Sequence, residues 1–405
     1  MKKVVFVTNS RADYGKLKPL INAIKELEQG GSHCLSGQVT YRIFVCGMHL
    51  LEKYGSTYQE IFKDGFSHVF LAGMSTPPPL SQEAHVSMDL DLAQTIIQFS
   101  HYVHLEQPDL IVVHGDRLES LACSIVGSFN HILSAHVEGG ELSGTLDESI
   151  RHSISKLAHL HYVCHEGARD LLLQMGERAE NIFVIGSSDI DVMLGKLPSL
   201  EEVNQHYYQL QKFKGEYAIC IYHPVTSEIL DLPKHIYEVL EGLKLAIEQT
   251  RPTSQNFVMI YPNNDLGSEI ILNALQTLKD HAHFVSFPSM KFEYFLTLLK
   301  HAQFIVGNSS CGIREAGVYG VPCINIGTRQ TNRSYAHHII NVEEEAHAIA
   351  AAIQKARNLK PHLVKSYHFG EGRSVQRFLQ SLTPSLFDTP TQKYFAPMET
   401  LCQKS

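Results

Sequence analysis

The chain has no tryptophan; 17 tyrosines and 19 phenylalanines supply its aromatic surface. It also lacks any apolar run near the roughly 20 residues that a bilayer-spanning helix needs. The opening "MKKVVFVTNSRADYG" pairs two lysines with an apolar run of about five residues. A secretory signal core takes about 7–15 such residues and a small-residue cleavage site, and neither is present. The segment reads instead as a first β-strand, and a cytoplasmic protein with no membrane partner is expected. Basic charge is not in excess, since 34 Lys+Arg face 42 Asp+Glu for a formal net charge of −8. That excludes a broad electrostatic footprint for nucleic acid, though a few converging arginines suffice for a small anion. The eight cysteines form no C-x-x-C and read as reduced, mostly buried thiols. The 24 histidines form no H-E-x-x-H, "HEG" at 165–167 lacks its second histidine, and "HLH" at 159–161 lacks a third ligand. No metal is therefore expected. Neither G-x-G-x-x-G nor a Walker A loop occurs.

What is present is a regular alternation. Short apolar runs at 4–8, 41–47, 110–116, 133–140, 160–165 and 182–187 are separated by helix-like patterns at 14–28, 83–106 and 118–129. A second series runs through 217–223, 256–263, 283–287, 304–308 and 323–327. Apolar strands alternating with helices predict α/β architecture with parallel sheets covered on both faces. The polar stretch 189–215 interrupts the series, which places a boundary near Gly195. Two doubly wound, Rossmann-like domains facing a cleft are expected: 1–195, 196–385, and a frayed tail over 386–405. The stretch 70–85, with prolines at 77–79, reads as a mobile loop, and 29–38 as an insertion.

Ligands of doubly wound sheets bind beyond the carboxyl ends of the strands. The polar clusters "TNSRADYG", "HGDR", "HVEGGE", "YHPVTSE", "YPNND", "GNSSCGIRE" and "GTRQTNR" all follow predicted strands. In "FIVGNSSCGIREA", a strand ending at Asn308 gives way to small residues and a helix start. Backbone N–H groups with the Ser309 and Ser310 hydroxyls make an anion site there, and a plain N-cap is the simpler alternative. Glu315, five residues on, is placed to accept ribose hydroxyls. Arg11, Arg117 and Arg329 each follow a strand and together suit a diphosphate.

The stretch "HVEGGELSGTLDESIRHSISK" gathers Glu138, Glu141, Asp147 and Glu148 within eleven positions. Thr145 and Glu148 have the spacing of a capping box, which assigns Glu148 to structure. Asp147 and Arg151 are i and i+4, a possible surface ion pair. Glu138 ends an apolar strand, and Gly139 and Gly140 are expected to leave its carboxylate uncrowded. An acid there is costly unless paired or used.

The stretches "SRADYGKLKPL", "GMHLLEKYGSTY", "HGDRLESLA", "EGGELSGTLDESIRHSISKLAHLH", "YPNNDLGSE", "GNSSCGIREA" and "GTRQTNR", from residue 10 to about 333, resemble the hydrolysing UDP-N-acetylglucosamine 2-epimerases of sialic-acid biosynthesis. The chain resembles in particular the bacterial, capsule-associated enzymes, and it is also similar to the epimerase half of the bifunctional mammalian enzyme, without the kinase half. The resemblance implies a glycosyltransferase-B-like fold, a homodimer, and no cofactor. It implies that Asp116, Glu138 and Asp147 are the catalytic carboxylates. It implies nucleotide contacts from Arg11, Arg117, His223, Asn263, Ser309, Ser310, Glu315 and Arg329. The expected substrate is UDP-N-acetylglucosamine, split with inversion at C2. Rival readings are the same reaction on UDP-2,4-diacetamido-2,4,6-trideoxyglucose, a glycosyltransferase, and a non-catalytic nucleotide-sugar sensor.

Overall fold

The first strand shows how the apolar runs become sheet. Val4, Val5, Phe6 and Val7 are all fully buried. Side chains alternate between the two faces of a strand, so a run buried at every position needs cover on both sides. A computed structural model describes residues 1–73, 88–213, 215–250, 255–333, 336–394 and 396. Within them, β1 (Lys2–Thr8), β2 (Val39–Val45), β3 (Val69–Leu71), β4 (Leu110–His114), β5 (Leu133–Val137), β6 (Leu160–Val163) and β7 (Ile182–Val184) form one sheet in the order β3-β2-β1-β4-β5-β6-β7. β8 (Tyr217–Ile221), β9 (Asn256–Ile260), β10 (Phe284–Phe287), β11 (Ile305–Gly307), β12 (Cys323–Ile326) and β13 (Ile339–Val342) form a second, ordered β10-β9-β8-β11-β12-β13. Every pairing is parallel, from Val4 opposite Leu110 to Ile305 opposite Ile219. The two doubly wound sheets expected from the alternation are therefore present.

Each sheet reverses its winding once, between β1 and β4 and between β8 and β11. The crevice at such a reversal is where doubly wound proteins bind ligands. The turns and helix starts directly after β1, β4, β8 and β11 carry Arg11, Asp116 with Arg117, His223, and Ser309 with Ser310. Topology alone thus brings four separated motifs to two adjoining sheet edges.

Three expectations change. The polar region 189–215 holds helices Ser188–Leu194 and Leu200–His206 and joins the sheets, but the chain's end does not stay with the second sheet. Helix Ser374–Ser381 returns to the first, and Phe378, Leu382 and Leu386 enter its core. The start of the expected tail is likewise docked: Lys393 Nζ donates to the carbonyls of Ser155, Lys156 and Ala158. The insertion 29–38 receives this crossover, since Leu35 joins the first core and the His33 ring lies 2.9 Å from the Leu379 carbonyl. Most of the expected loop 70–85, including its three prolines, lies outside the described residues, and the helix expected from 83 is described as Met88–Glu106. Where the two connections between domains run side by side, Gly186 and Gly370 meet with left-handed φ of 86° and 148°. A Cβ on Gly186 would stand 3.2 Å from the Gly370 Cα, so both positions require the smallest residue.

Candidate active site

The facing strand ends enclose a cavity of about 200 Å³ lined by Asp116, Arg117, Glu138, Asp147, His223, Asn263, Ser309, Ser310 and Arg329. An adjoining cavity of about 230 Å³ shares His223, Asn263 and both serines and adds Arg11 and Glu315. The three carboxylates and eight nucleotide contacts implied by the resemblance therefore each line one or both of these adjoining cavities.

Asp116 follows β4 and is bonded to Arg151, a fully buried guanidinium that also donates to the Glu141 carbonyl at 2.8 Å and to Ser143 Oγ at 3.2 Å. Burial alone would raise the Asp116 pKa. Arg151, then Arg333 and Arg329, outweigh it and hold the carboxyl well below the usual range. The alternative in which Arg151 pairs with Asp147 on its own helix does not hold, since Arg151 turns inward to Asp116.

Glu138 follows β5 with φ of 65°, a left-handed conformation uncommon outside glycine. Its N–H bonds the Tyr162 carbonyl at 2.8 Å, which fixes the turn. The side chain is the opposite of uncrowded. Arg314 lies 2.6 Å from Oε1, Lys16 lies 3.3 Å from Oε2, and Ser187 donates to Oε1. His114 Nε2 stands 3.1 Å from Oε2 without the alignment of a hydrogen bond. Burial disfavours the charge, but Arg314 and Lys16 hold the carboxyl well below its ordinary value. The two glycines serve packing: a Cβ on Gly139 would meet the His136 ring at 2.7 Å, and one on Gly140 the Ala168 carbonyl at 2.4 Å.

Asp147 is the second residue of helix Leu146–Leu157 and meets Arg329 of the other domain at 3.0 Å. The helix dipole would favour its charge by about 0.3–1 kcal/mol. Burial nevertheless raises its pKa; Arg329 opposes, and Asp116 and Asp265 add to the rise. The expected capping box does not form. Thr145 takes the N-cap position, but its hydroxyl is buried without a partner, and Glu148 accepts from the Ser143 N–H, two residues before the cap. Glu148 thus ties the loop to the helix start through a different bond from the one expected.

In the second domain, His223 and Asn308 lock together. The His223 N–H donates to Asn308 Oδ1 at 2.6 Å, and Asn308 Nδ2 donates to the His223 carbonyl at 2.9 Å. Burial, with Arg329 nearby, pushes the His223 imidazole down to about 3, so it is neutral. Its Nδ1 accepts from the Asn263 N–H at 3.1 Å, which leaves Nε2 to carry the proton. The Asn263 side-chain oxygen is buried with no protein partner. The helix expected after Ser309 breaks at Arg314 into Ser310–Ile313 and Glu315–Tyr319, and Ser309 makes no side-chain cap bond. Glu315 turns to Lys16 at 3.1 Å; burial raises its pKa, Lys16 opposes and Asp189 restores the rise, leaving it at about 7. The arginines all meet acids: Arg11 with Glu60, Arg117 with Asp265 at 2.7 Å, Arg329 with Asp147.

Sequence reasoning missed Lys16, Arg314, Arg333 and His114. Lys16 carried a signal, being a cation among the buried positions Tyr14, Leu17, Leu20 and Ile21 of helix Arg11–Glu28. Among the described residues one grouping of metal-ligand type occurs, Glu228, His235 and Glu344, with ligand atoms within 4.8 Å of one another. It lies outside both cavities, and Thr328 and Tyr222 hydroxyls already donate to its carboxylates. No helix among the described residues is long and apolar enough to cross a membrane.

Two parallel-sheet Rossmann-like domains closing on an arginine- and carboxylate-lined cleft define a glycosyltransferase-B-like protein. Residues 35–383 match the family model described as UDP-N-acetylglucosamine 2-epimerase, and the chain belongs to that family. It is 42% identical over 399 residues to the UDP-N-acetylglucosamine 2-epimerase of Neisseria meningitidis serogroup B, covering 98% of this chain and 99% of that one. It is 32% identical to the UDP-N,N'-diacetylbacillosamine 2-epimerase (hydrolyzing) of Legionella pneumophila, covering 94% and 96%. Its fold is shared with UDP-GlcNAc 2-epimerase of Methanocaldococcus jannaschii in complex with UDP-GlcNAc and UDP, at a TM-score of 0.77, 20% identity, and coverage of 94% and 99%.

Proposed function

We propose that this epimerase is of the hydrolysing kind, converting UDP-N-acetylglucosamine and water to N-acetylmannosamine and UDP as the first step of sialic-acid biosynthesis. The observation that carries the reading is the shared cavity: Asp116, Glu138 and Asp147 line the same space as Arg117, Ser309, Ser310 and Arg329. The C2 proton of the sugar is not acidic, so a carboxylate cannot simply remove it. UDP leaves readily when its charge is held by guanidinium and N–H donors, and C1–O cleavage running ahead leaves an oxocarbenium-like centre that acidifies C2–H. Loss of that proton gives 2-acetamidoglucal. Water then adds at C1 while a proton returns to the opposite face of C2. Two faces require two acid–base groups.

The opposite electrostatics of Glu138 and Asp147 suit different roles. Glu138, held ionised by Arg314 and Lys16, accepts the proton; Asp147, whose carboxyl burial pushes up, returns one. The charge of Asp116 adds to the rise in the Asp147 pKa and so favours the protonated form that returns the proton. Arg11, Arg117, His223, Asn263, Ser309, Ser310, Glu315 and Arg329 bind the nucleotide. The enzyme acts in the cytoplasm as a homodimer without metal or cofactor.

Incubation with UDP-N-acetylglucosamine and no acceptor tests the reading. Release of UDP and N-acetylmannosamine at equal rates supports it. Bound nucleotide sugar with no UDP released would leave a sensor, and a UDP-linked epimer as the sole product would make the enzyme non-hydrolysing. The Legionella relative, named for a diacetamido-trideoxy sugar nucleotide, favours a second reading in which that sugar is the substrate. Relative kcat/KM for the two sugars decides between them.

A further inference from the structure

Arg314 stands where the second domain enters the first. It occupies the break between the short helices Ser310–Ile313 and Glu315–Tyr319, and its N–H still bonds the Ser310 carbonyl at 3.0 Å. The break leaves the side chain aimed across the cleft. Its guanidinium reaches two carboxylates of the first domain at once, Glu141 at 2.5 Å and Glu138 at 2.6 Å. It also donates to Ser187 Oγ at 2.9 Å and Cys164 Sγ at 3.3 Å, and it lies 4.8 Å from the Phe369 ring centroid. Both Ser187 and Phe369 belong to the connections between the domains, and the Ser187 N–H bonds the Phe369 carbonyl at 2.7 Å. Arg314 is 3% exposed, so these contacts are dry and short-range electrostatics are weakly screened.

A planar guanidinium that grips two carboxylates fixes the direction of each, which a point charge does not. Glu141 is itself anchored on its far oxygen by Arg333 at 3.0 Å. Arg333, Glu141, Arg314 and Glu138 thus form a chain that starts and turns back in the second domain while both acids stay in the first. We propose that Arg314 is the positioning residue of the Glu138 carboxylate, supplied by the second domain so that the proton-accepting group of the first is aligned only when the domains are docked. The proposal rests on the role given to Glu138 above.

The electrostatic hold on Glu138 weakens its basicity, which the elimination tolerates because C1–O cleavage runs ahead of proton loss. The same hold speeds surrender of the captured proton to solvent, so the carboxylate is reset before the next turnover.

The test compares native enzyme with Arg314→Gln and Arg314→Lys, reading the pH profile of kcat/KM, kcat and KM separately, UDP affinity by calorimetry, and thermal unfolding. A depressed carboxyl pKa keeps Glu138 ionised at low pH, and removing Arg314 raises that pKa, so the acid limb of the glutamine variant should move to higher pH. Its kcat should fall by about 10²-fold, within the usual range for loss of an aligned acid–base group, with UDP affinity near native. The lysine variant, keeping charge without the fork, should show a smaller limb shift and recover part of kcat. Should the glutamine variant fail to fold, the lysine variant carries the test by its limb and its kcat. An acid limb that stays in place in the folded variants, with losses confined to unfolding temperature or KM, overturns the proposal and leaves Arg314 structural. A native enzyme that releases no UDP overturns the functional reading, and this proposal with it.

Discussion

Replacing Glu138 with glutamine separates what its carboxylate does for the fold from what it does for the reaction. Glutamine keeps the size and an oxygen for the Ser187 hydroxyl, but removes the charge facing Arg314 and Lys16. Breaking a buried ion pair by deleting one partner costs about 3–5 kcal/mol when the other charge is stranded. Here neither cation is stranded: Arg314 keeps Glu141, and Lys16 keeps Asp189 at 3.4 Å and Glu315 at 3.1 Å. The cost should therefore fall below that range, to about 2 kcal/mol. At about 2–4 °C per kcal/mol for domains of this size, the unfolding midpoint drops by roughly 4–8 °C. Because Glu138 is depressed in the folded state, its stabilisation is present above the unfolded glutamate pKa of about 4.3 and is lost as pH falls toward the folded value. The gap between native and variant midpoints should hold at neutral pH and narrow below about pH 4. Turnover should fall by about 10²–10⁴ while UDP affinity changes little, since no phosphate contact is assigned to Glu138. Differential scanning calorimetry, UDP titration and a turnover assay on one preparation read all three quantities. A variant with native midpoint and native turnover would mean that the buried pairs neither stabilise the fold nor serve the reaction.

Arg329→Ala and Ser310→Ala should weaken UDP binding by roughly ten- to a hundredfold each, the equivalent of about 1.5–3 kcal/mol for a charge-assisted contact; calorimetry giving native affinity in both would remove them from the nucleotide site. Acid should destabilise the protein well before its carboxylates titrate. Burial pushes His136 and His223 down to about 3 and His49 and His165 down to about 4, so each is neutral when folded and charges on unfolding. Stability from these groups is complete above about pH 6.5 and falls, by up to about 1.4 kcal/mol per pH unit for each histidine, as pH drops toward the folded values. Unfolding midpoints that are flat from pH 7 to 5 would contradict it.

Most strands were legible because both faces of a parallel sheet are covered, which leaves unbroken apolar runs such as "VVFVT" and "LIVVH". The two that escaped are edge strands. β3 is three residues long with two of them exposed, and β13, "IINV", is flanked by histidines and acids that mask its apolar pair. Residues directly after strands were legible for the same topological reason. Arg314 and Arg333 were not, because their partners lie in the other domain and no local spacing encodes that contact. Local spacing was a poor guide at the start of helix Leu146–Leu157. Glu148 bonds the Ser143 N–H just before the cap instead of closing a T-x-x-E box, and contacts distant in sequence, Arg329 and Asp116, take Asp147 and Arg151 in place of an i, i+4 pair.

The proposed elimination at C1–C2, followed by hydration with proton return from the other face, would leave solvent atoms in the product. Turnover of UDP-N-acetylglucosamine in deuterated, oxygen-18-enriched water reads this from mass and proton spectra of the released sugar. The expected product is N-acetylmannosamine carrying deuterium at C2 and oxygen-18 at C1. A product that keeps its original C2 hydrogen would contradict the elimination.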